Sequence, residues 1–101
     1  MKETIAKMEK GPRFKKYTAY VKNKKTHKTR KIHFGDNRYE QYKDRTKLKL
    51  YASKNHNTRK RMRNYYSRHS GIKNRGAAIK KEVRKSKGLY NPKILSHTYL
   101  W

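Results

Sequence analysis

Six carboxylates stand against 31 lysines and arginines in this chain, leaving a formal net charge of +25 on 101 residues. That imbalance constrains folding more than any other feature. Like charges repel across a compact surface, and a chain this short buries a smaller share of its surface than a larger domain does. Hydrophobic residues make up only 32% of the sequence, and the large apolar groups are mainly nine tyrosines, whose hydroxyls need partners once buried. The expectation is one small domain with little independent core, ordered mainly when a partner neutralises it. The charge comes in two blocks, +9 over residues 13–35 and +11 over 58–87, with +1 over 1–12, +3 over 36–57 and +1 over 88–101.

A basic chain of this kind points to a polyanion, since clustered lysine and arginine displace counterions from phosphates. Lysine outnumbers arginine 21 to 10, and a lysine ammonium is a point charge where an arginine is a bidentate fork. The excess therefore favours sequence-independent contacts over base reading. The candidates for nucleic-acid or acidic-partner contact are Lys24, Lys25, Lys28, Arg30 and Lys31 in the first block. In the second they are Arg59, Lys60, Arg61, Arg63, Arg68, Lys80, Lys81, Arg84 and Lys85.

Residues 1–12 read as an N-terminal extension ahead of a domain at 13–101. With Glu3 and Glu9 and no long apolar run, the extension does not resemble a secretory signal. Over 14–34, Tyr17, Ala19 and Val21 alternate with polar residues. After a turn at Asn23–Thr26, Arg30, Ile32 and Phe34 alternate with Lys31 and His33, which predicts a β-hairpin. Residues 36–57 keep neither strand nor helix spacing and read as a loop, in which Asp36, Glu40 and Asp44 are expected to bridge to the basic blocks. A helix is expected over 58–70, started at Asn57 or Thr58 and stopped at Gly71, with Met62, Tyr65, Tyr66 and His69 as its buried stripe. That stripe is the expected platform for the hairpin.

A second helix is expected over 77–87, closed by Gly88 and burying Ile79 and Val83. In the tail 89–101, Asn91 and Pro92 form a helix start, and Ile94, Leu95, Tyr99, Leu100 and Trp101 make an apolar end. Such an end either completes the core or inserts into a partner. Tyr65, Tyr66, His69, Leu95, Tyr99, Leu100 and Trp101 are accordingly the residues expected for core or partner docking. The fold class is α+β, a hairpin packed on two or three short helices.

No enzymatic chemistry is indicated. The chain has no cysteine, so neither a disulfide framework nor a thiolate zinc site can form. The five histidines lack metal-ligand spacing, the glycines form no phosphate-cradling loop, and no cofactor is expected. No stretch has the length of apolar sequence needed to span a bilayer.

Several segments in order carry a resemblance: Ile32-His33-Phe34-Gly35, Tyr42-Lys43-Asp44, Asn55-His56-Asn57 leading to Arg59-Lys60-Arg61, Tyr66-Ser67-Arg68-His69, and Leu95-Ser96-His97-Thr98-Tyr99-Leu100-Trp101. Over residues 14–101 the chain resembles a family of small basic proteins encoded by large nucleocytoplasmic DNA viruses of algae and protists. The run Ile72–Gly88 is longer and richer in lysine than that family leads one to expect. The resemblance implies no catalytic site. It implies a virion or virus-factory setting, in the virion at the capsid or its inner face, and in the infected cell at the factory or the nucleus. The expected function is a non-enzymatic virion component, a minor capsid or cement protein that bridges capsid proteins and acidic partners. The alternatives are a sequence-nonspecific DNA-packaging protein that binds genomic DNA, and a ribosomal-type RNA-binding protein.

Overall fold

The computed structural model describes residues 1–101. Strand alternation places Tyr17, Ala19 and Val21 of β2 (Lys15–Asn23) on one face with Ile32 and Phe34 of β3 (Thr29–Asp36), and all five are buried. The two strands are antiparallel, with Tyr17 opposite Phe34 and Ala19 opposite Ile32. At their turn, the Asn23 side-chain oxygen accepts from the N–H groups of Lys25 and Thr26, both at 2.9 Å.

The first 12 residues are not an extension. Glu3–Lys10 forms β1, which pairs antiparallel with β2, so the hairpin becomes a three-stranded sheet in the order β1-β2-β3. Its register shifts between Ile5, opposite Val21, and Lys7, opposite Tyr20. This bulge resets the alternation, so Ile5 and Met8, three apart in sequence, both pack against the core.

Three helices follow, α1 (Arg59–Ser70), α2 (Arg75–Lys85) and α3 (Pro92–Tyr99), after a short 3-10 turn at Ala52–Lys54. Gly71 ends α1 in the left-handed conformation at φ 70°, its N–H donating to Ser67 O at 2.9 Å. Asn91 caps α3, accepting from Ile94 N–H at 2.8 Å with Pro92 in the first turn. Thr58 occupies the cap position of α1, but its hydroxyl donates backwards to His56 O at 3.2 Å instead of capping the helix. Helix α2 begins two residues before the expected Ala77, because Asn74 caps it by accepting from Ala77 N–H at 2.9 Å. It buries Ala78 and Glu82, while Ile79 and Val83 are half-buried.

The sheet does not rest on the α1 stripe. Its apolar face is covered by Leu95 and Leu100, which join Tyr17, Ala19, Val21, Ile32 and Phe34 in one buried cluster. Helix α3 touches β3 on one side and α2 on the other, and α1 packs on α2. A second buried cluster, Tyr65, Tyr66 and Ala78, sits among the helices with Met62 and Ile72 at its margin, and Trp101 packs against both clusters. The structural hub is therefore α3 and not α1. The expected stripe is corrected in one position: Tyr65 and Tyr66 are buried and Met62 partly so, but His69 is exposed and Ser70 takes the inward place. The radius of gyration, 13.4 Å, equals the about 13 Å of a compact 100-residue domain. The fold is a small α+β domain.

Candidate nucleic-acid interface

Every carboxylate except Asp44 is in an ion pair. The pairs are Lys7–Glu9 at 3.3 Å, Arg30–Glu3 at 2.9 Å, Arg38–Asp36 at 2.7 Å, Arg61–Glu40 at 3.0 Å and Lys93–Glu82 at 3.8 Å. Five of the 31 cations are engaged, which leaves 26 with no carboxylate at salt-bridge distance. Of the three acids expected to bridge to the basic blocks, only Glu40 does so. Asp36 pairs within its own loop, and Asp44 is buried among neutral donors.

Eleven of the fourteen expected contact residues are exposed and without an acidic partner. Lys24, Lys25 and Lys28 lie at or beside the β2–β3 turn, and Lys31 lies on the outer face of the sheet. Arg59, Lys60, Arg63 and Arg68 lie on α1, and Lys80, Arg84 and Lys85 on α2. Three are used internally. Arg61 holds Glu40, and Lys81 donates to Ser70 O at 2.7 Å. Arg30 donates twice to Glu3, both at 2.9 Å, and once to Tyr90 O at 2.6 Å. Glu3 in turn accepts from Tyr90 N–H at 2.8 Å, so this clamp ties β1 and β3 to the segment before α3. The Arg30 guanidinium holds the Glu3 carboxyl below its usual range. The alternation contained the signal, since Arg30 has the same parity as Ile32 and Phe34 and so faces inward.

The residues expected for core or docking are mostly core. Tyr65, Tyr66, Leu95 and Leu100 are buried, and Tyr99 and Trp101 are half-buried. The Trp101 ring stacks on Tyr65, with centroids 4.3 Å apart and planes 4° from parallel. His69 lies exposed at the edge of this group, its ring centroid 4.6 Å from that of Tyr65.

Sequence reading missed two buried polar clusters. In the first, Asp44 accepts from the Tyr17 hydroxyl, from Thr46 N–H at 3.0 Å and from Tyr51 N–H at 3.1 Å. The Asn55 side-chain oxygen accepts from Gln41 Nε2 and Asp44 N–H, both at 2.7 Å. Lys16, 2% exposed, donates to Gln41 Oε1. Burial, with Lys54 nearby, lowers the Lys16 pKa to about 8. Side-chain and backbone hydrogen bonds thus order the loop in place of hydrophobic spacing. The loop also holds the chain end, with Lys43 N–H and Arg45 N–H donating to Leu100 O at 3.1 Å and Tyr99 O at 2.8 Å.

The second cluster centres on His97, which is fully buried. Its Nδ1 lies 2.9 Å from the Tyr65 hydroxyl, its Nε2 lies 2.8 Å from Ser70 Oγ, and Ser70 donates to Glu82 at 2.8 Å. The donors fix the tautomer. Ser70 gives its proton to Glu82, so His97 Nε2 carries a proton that it donates to Ser70, and Nδ1 accepts from Tyr65. The serine lies between histidine and carboxylate with its proton already committed. A nucleophilic triad requires the histidine in that middle place.

Burial is the main cause that lowers the His97 pKa to about 4. Glu82 opposes the shift, and His69, Lys93 and Arg75 add to it. The ordinary value is 6.5, so between there and about 4 the unfolded chain binds a proton that the folded chain does not. Stability contributed by this histidine is present above about pH 6.5 and is lost as the pH falls toward 4. The expected slope approaches about 1.4 kcal/mol per pH unit. Urea melts across this range measure it, and an NMR titration should place the ring's midpoint near 4.

Beside Trp101 lies an open cleft of about 480 Å³ between α1, α3 and the ends of β2 and β3. Lys15, Lys16, Arg68, His69 and Lys93 contribute to its walls, with Tyr39 at its rim. No group of three or more His, Asp or Glu side chains converges in the protein as a metal site requires. No helix is long and apolar enough to cross a membrane.

Fold and surface together define a small basic α+β protein with most of its cations turned outward. Comparison with protein-family models, curated proteins and solved structures finds no match to this chain.

Proposed function

We propose that this protein is a non-enzymatic, sequence-nonspecific nucleic-acid-binding protein that grips the phosphate backbone. The observation that carries the reading is the set of 22 exposed cations without a carboxylate partner. A folded surface this basic is costly in isolation and is relieved when a polyanion takes the place of its condensed counterions. Helices α1 and α2 supply six of these exposed cations, Arg59, Lys60, Arg63, Lys80, Arg84 and Lys85. The apolar tail, which supported docking on a capsid when read as sequence, is largely spent on the protein's own core, and this shifts the balance toward nucleic acid. The virus-factory or virion setting rests on the family resemblance.

The test is a triple variant, Arg59→Gln, Lys60→Gln and Arg63→Gln, whose side chains are exposed and make no internal ion pair. Affinity for a duplex should fall roughly tenfold or more at fixed salt, while the melting temperature stays equal or rises. Unchanged affinity would remove α1 from the interface.

A second reading, a minor capsid or cement component of a large DNA virus, is favoured by apolar side chains left on the surface: Tyr39 at 65%, Leu50 at 50% and Leu48 at 44% exposure. All three lie in the loop outside the core. Under this reading Leu48→Ser with Leu50→Ser abolishes incorporation into particles and spares nucleic-acid binding. Normal incorporation of that variant would count against it.

A further inference from the structure

We propose that the cleft between α1 and the ends of β2 and β3 binds one unpaired nucleoside phosphate, with the base on Tyr39 and the phosphate taken by Lys15 and Arg68. This inference rests on the nucleic-acid reading and specifies which state of the nucleic acid the protein selects. The volume, about 480 Å³, lies in the roughly 300–1,000 Å³ range of small-ligand sites. A paired, stacked base cannot enter such a cleft, but an extruded or terminal one can.

The walls carry the two chemistries that a nucleotide presents. Lys15 and Arg68 both line the cleft, are exposed, and have no carboxylate partner, so their charge is available to a phosphate. The two acids that also line it, Asp36 and Glu40, are neutralised by Arg38 at 2.7 Å and Arg61 at 3.0 Å. Tyr39 is 65% exposed, and the Arg38 guanidinium lies over its ring 5.8 Å from the centroid. An exposed ring beside free cations is the combination that stacks a base while holding its backbone. The cleft also contains its own reporter, since Trp101 lines it and is the only tryptophan of the chain.

The experiment titrates the protein with adenosine monophosphate, with a blunt duplex, and with the same duplex bearing a short unpaired end. Trp101 fluorescence reads the cleft, and anisotropy of the labelled duplexes reads overall affinity. The expected result is a saturable fluorescence change with the overhang duplex, tighter binding of that duplex than of the blunt one, and no such change with the blunt duplex. A matching change with adenosine monophosphate would identify free nucleotides as a source of the ligand, and its absence would confine the source to strands. Tyr39→Ala should weaken the fluorescence-reported binding roughly fivefold or more and leave blunt-duplex affinity within about twofold. If neither the overhang nor the mononucleotide changes the fluorescence, or if Tyr39→Ala has no effect, the cleft proposal fails. Blunt-duplex binding that persists then leaves the backbone-binding reading intact, whereas loss of all binding removes both.

Discussion

Replacing Leu95 by alanine should destabilise the protein by about 2–5 kcal/mol, the cost of truncating a fully buried leucine where neighbours relax only partly. Leu95 is 0% exposed and lies in the cluster that closes the sheet, so its loss opens a void against Tyr17, Ala19, Val21, Ile32 and Phe34. Native stability of a domain this size is about 5–15 kcal/mol, so the change takes a large share of it. Urea unfolding of wild type and variant measures the difference. Removal of Ile94–Trp101 has a still larger consequence, since Ile94, Leu95, His97 and Leu100 are all buried. The truncated chain should show no cooperative transition. A normal melt for either variant would mean that α3 is an appendage rather than the hub.

The second large effect is expected at Asp44. Its carboxylate is 1% exposed and is the common acceptor for the Tyr17 hydroxyl, Thr46 N–H and Tyr51 N–H. Asp44→Ala leaves those donors buried without a partner, at about 1–3 kcal/mol for each that water cannot reach. A loss of about 3 kcal/mol or more is expected, with the loop at 41–55 becoming susceptible to proteolysis before the sheet does. Burial alone would raise the Asp44 pKa, but hydrogen bonds from Thr46 and Tyr17 outweigh it and hold the carboxyl below its ordinary value of 3.8. Its contribution is therefore present above that value and is lost as the pH falls through the lower folded one. The Asp44 loss should follow, at lower pH, the loss expected from His97, and it should be missing in the Asp44→Ala variant.

Much of the fold was legible where one physical rule acted alone. Period-two alternation identified β2 and β3, and terminal chemistry identified Gly71 as a stop and Asn91-Pro92 as a start. The N-terminal strand was hidden because its bulge separates the inward residues Ile5 and Met8 by three, a spacing that does not read as a strand until the partner is known. The role of α1 was overestimated for a related reason. Its Tyr65, Tyr66 and His69 looked like a platform, but the inward face runs through Tyr66 to Ser70, whose hydroxyl is required by His97 and Glu82. Gln41, Asp44 and Thr46 gave no signal, since burial of polar residues follows from mutual hydrogen bonding and leaves no period in the sequence. Of the candidate interface, the free cations were legible from charge alone. Arg30, Arg61 and Lys81 were lost to internal partners that only the fold brings near.

The central claim, that unpaired surface cations bind phosphates, is tested most directly by the salt dependence of affinity for a duplex. Counterion release predicts a log–log slope of about −0.9 for each phosphate neutralised, so engagement of about six phosphates gives a slope near −5. A slope near zero across the same salt range would contradict the account.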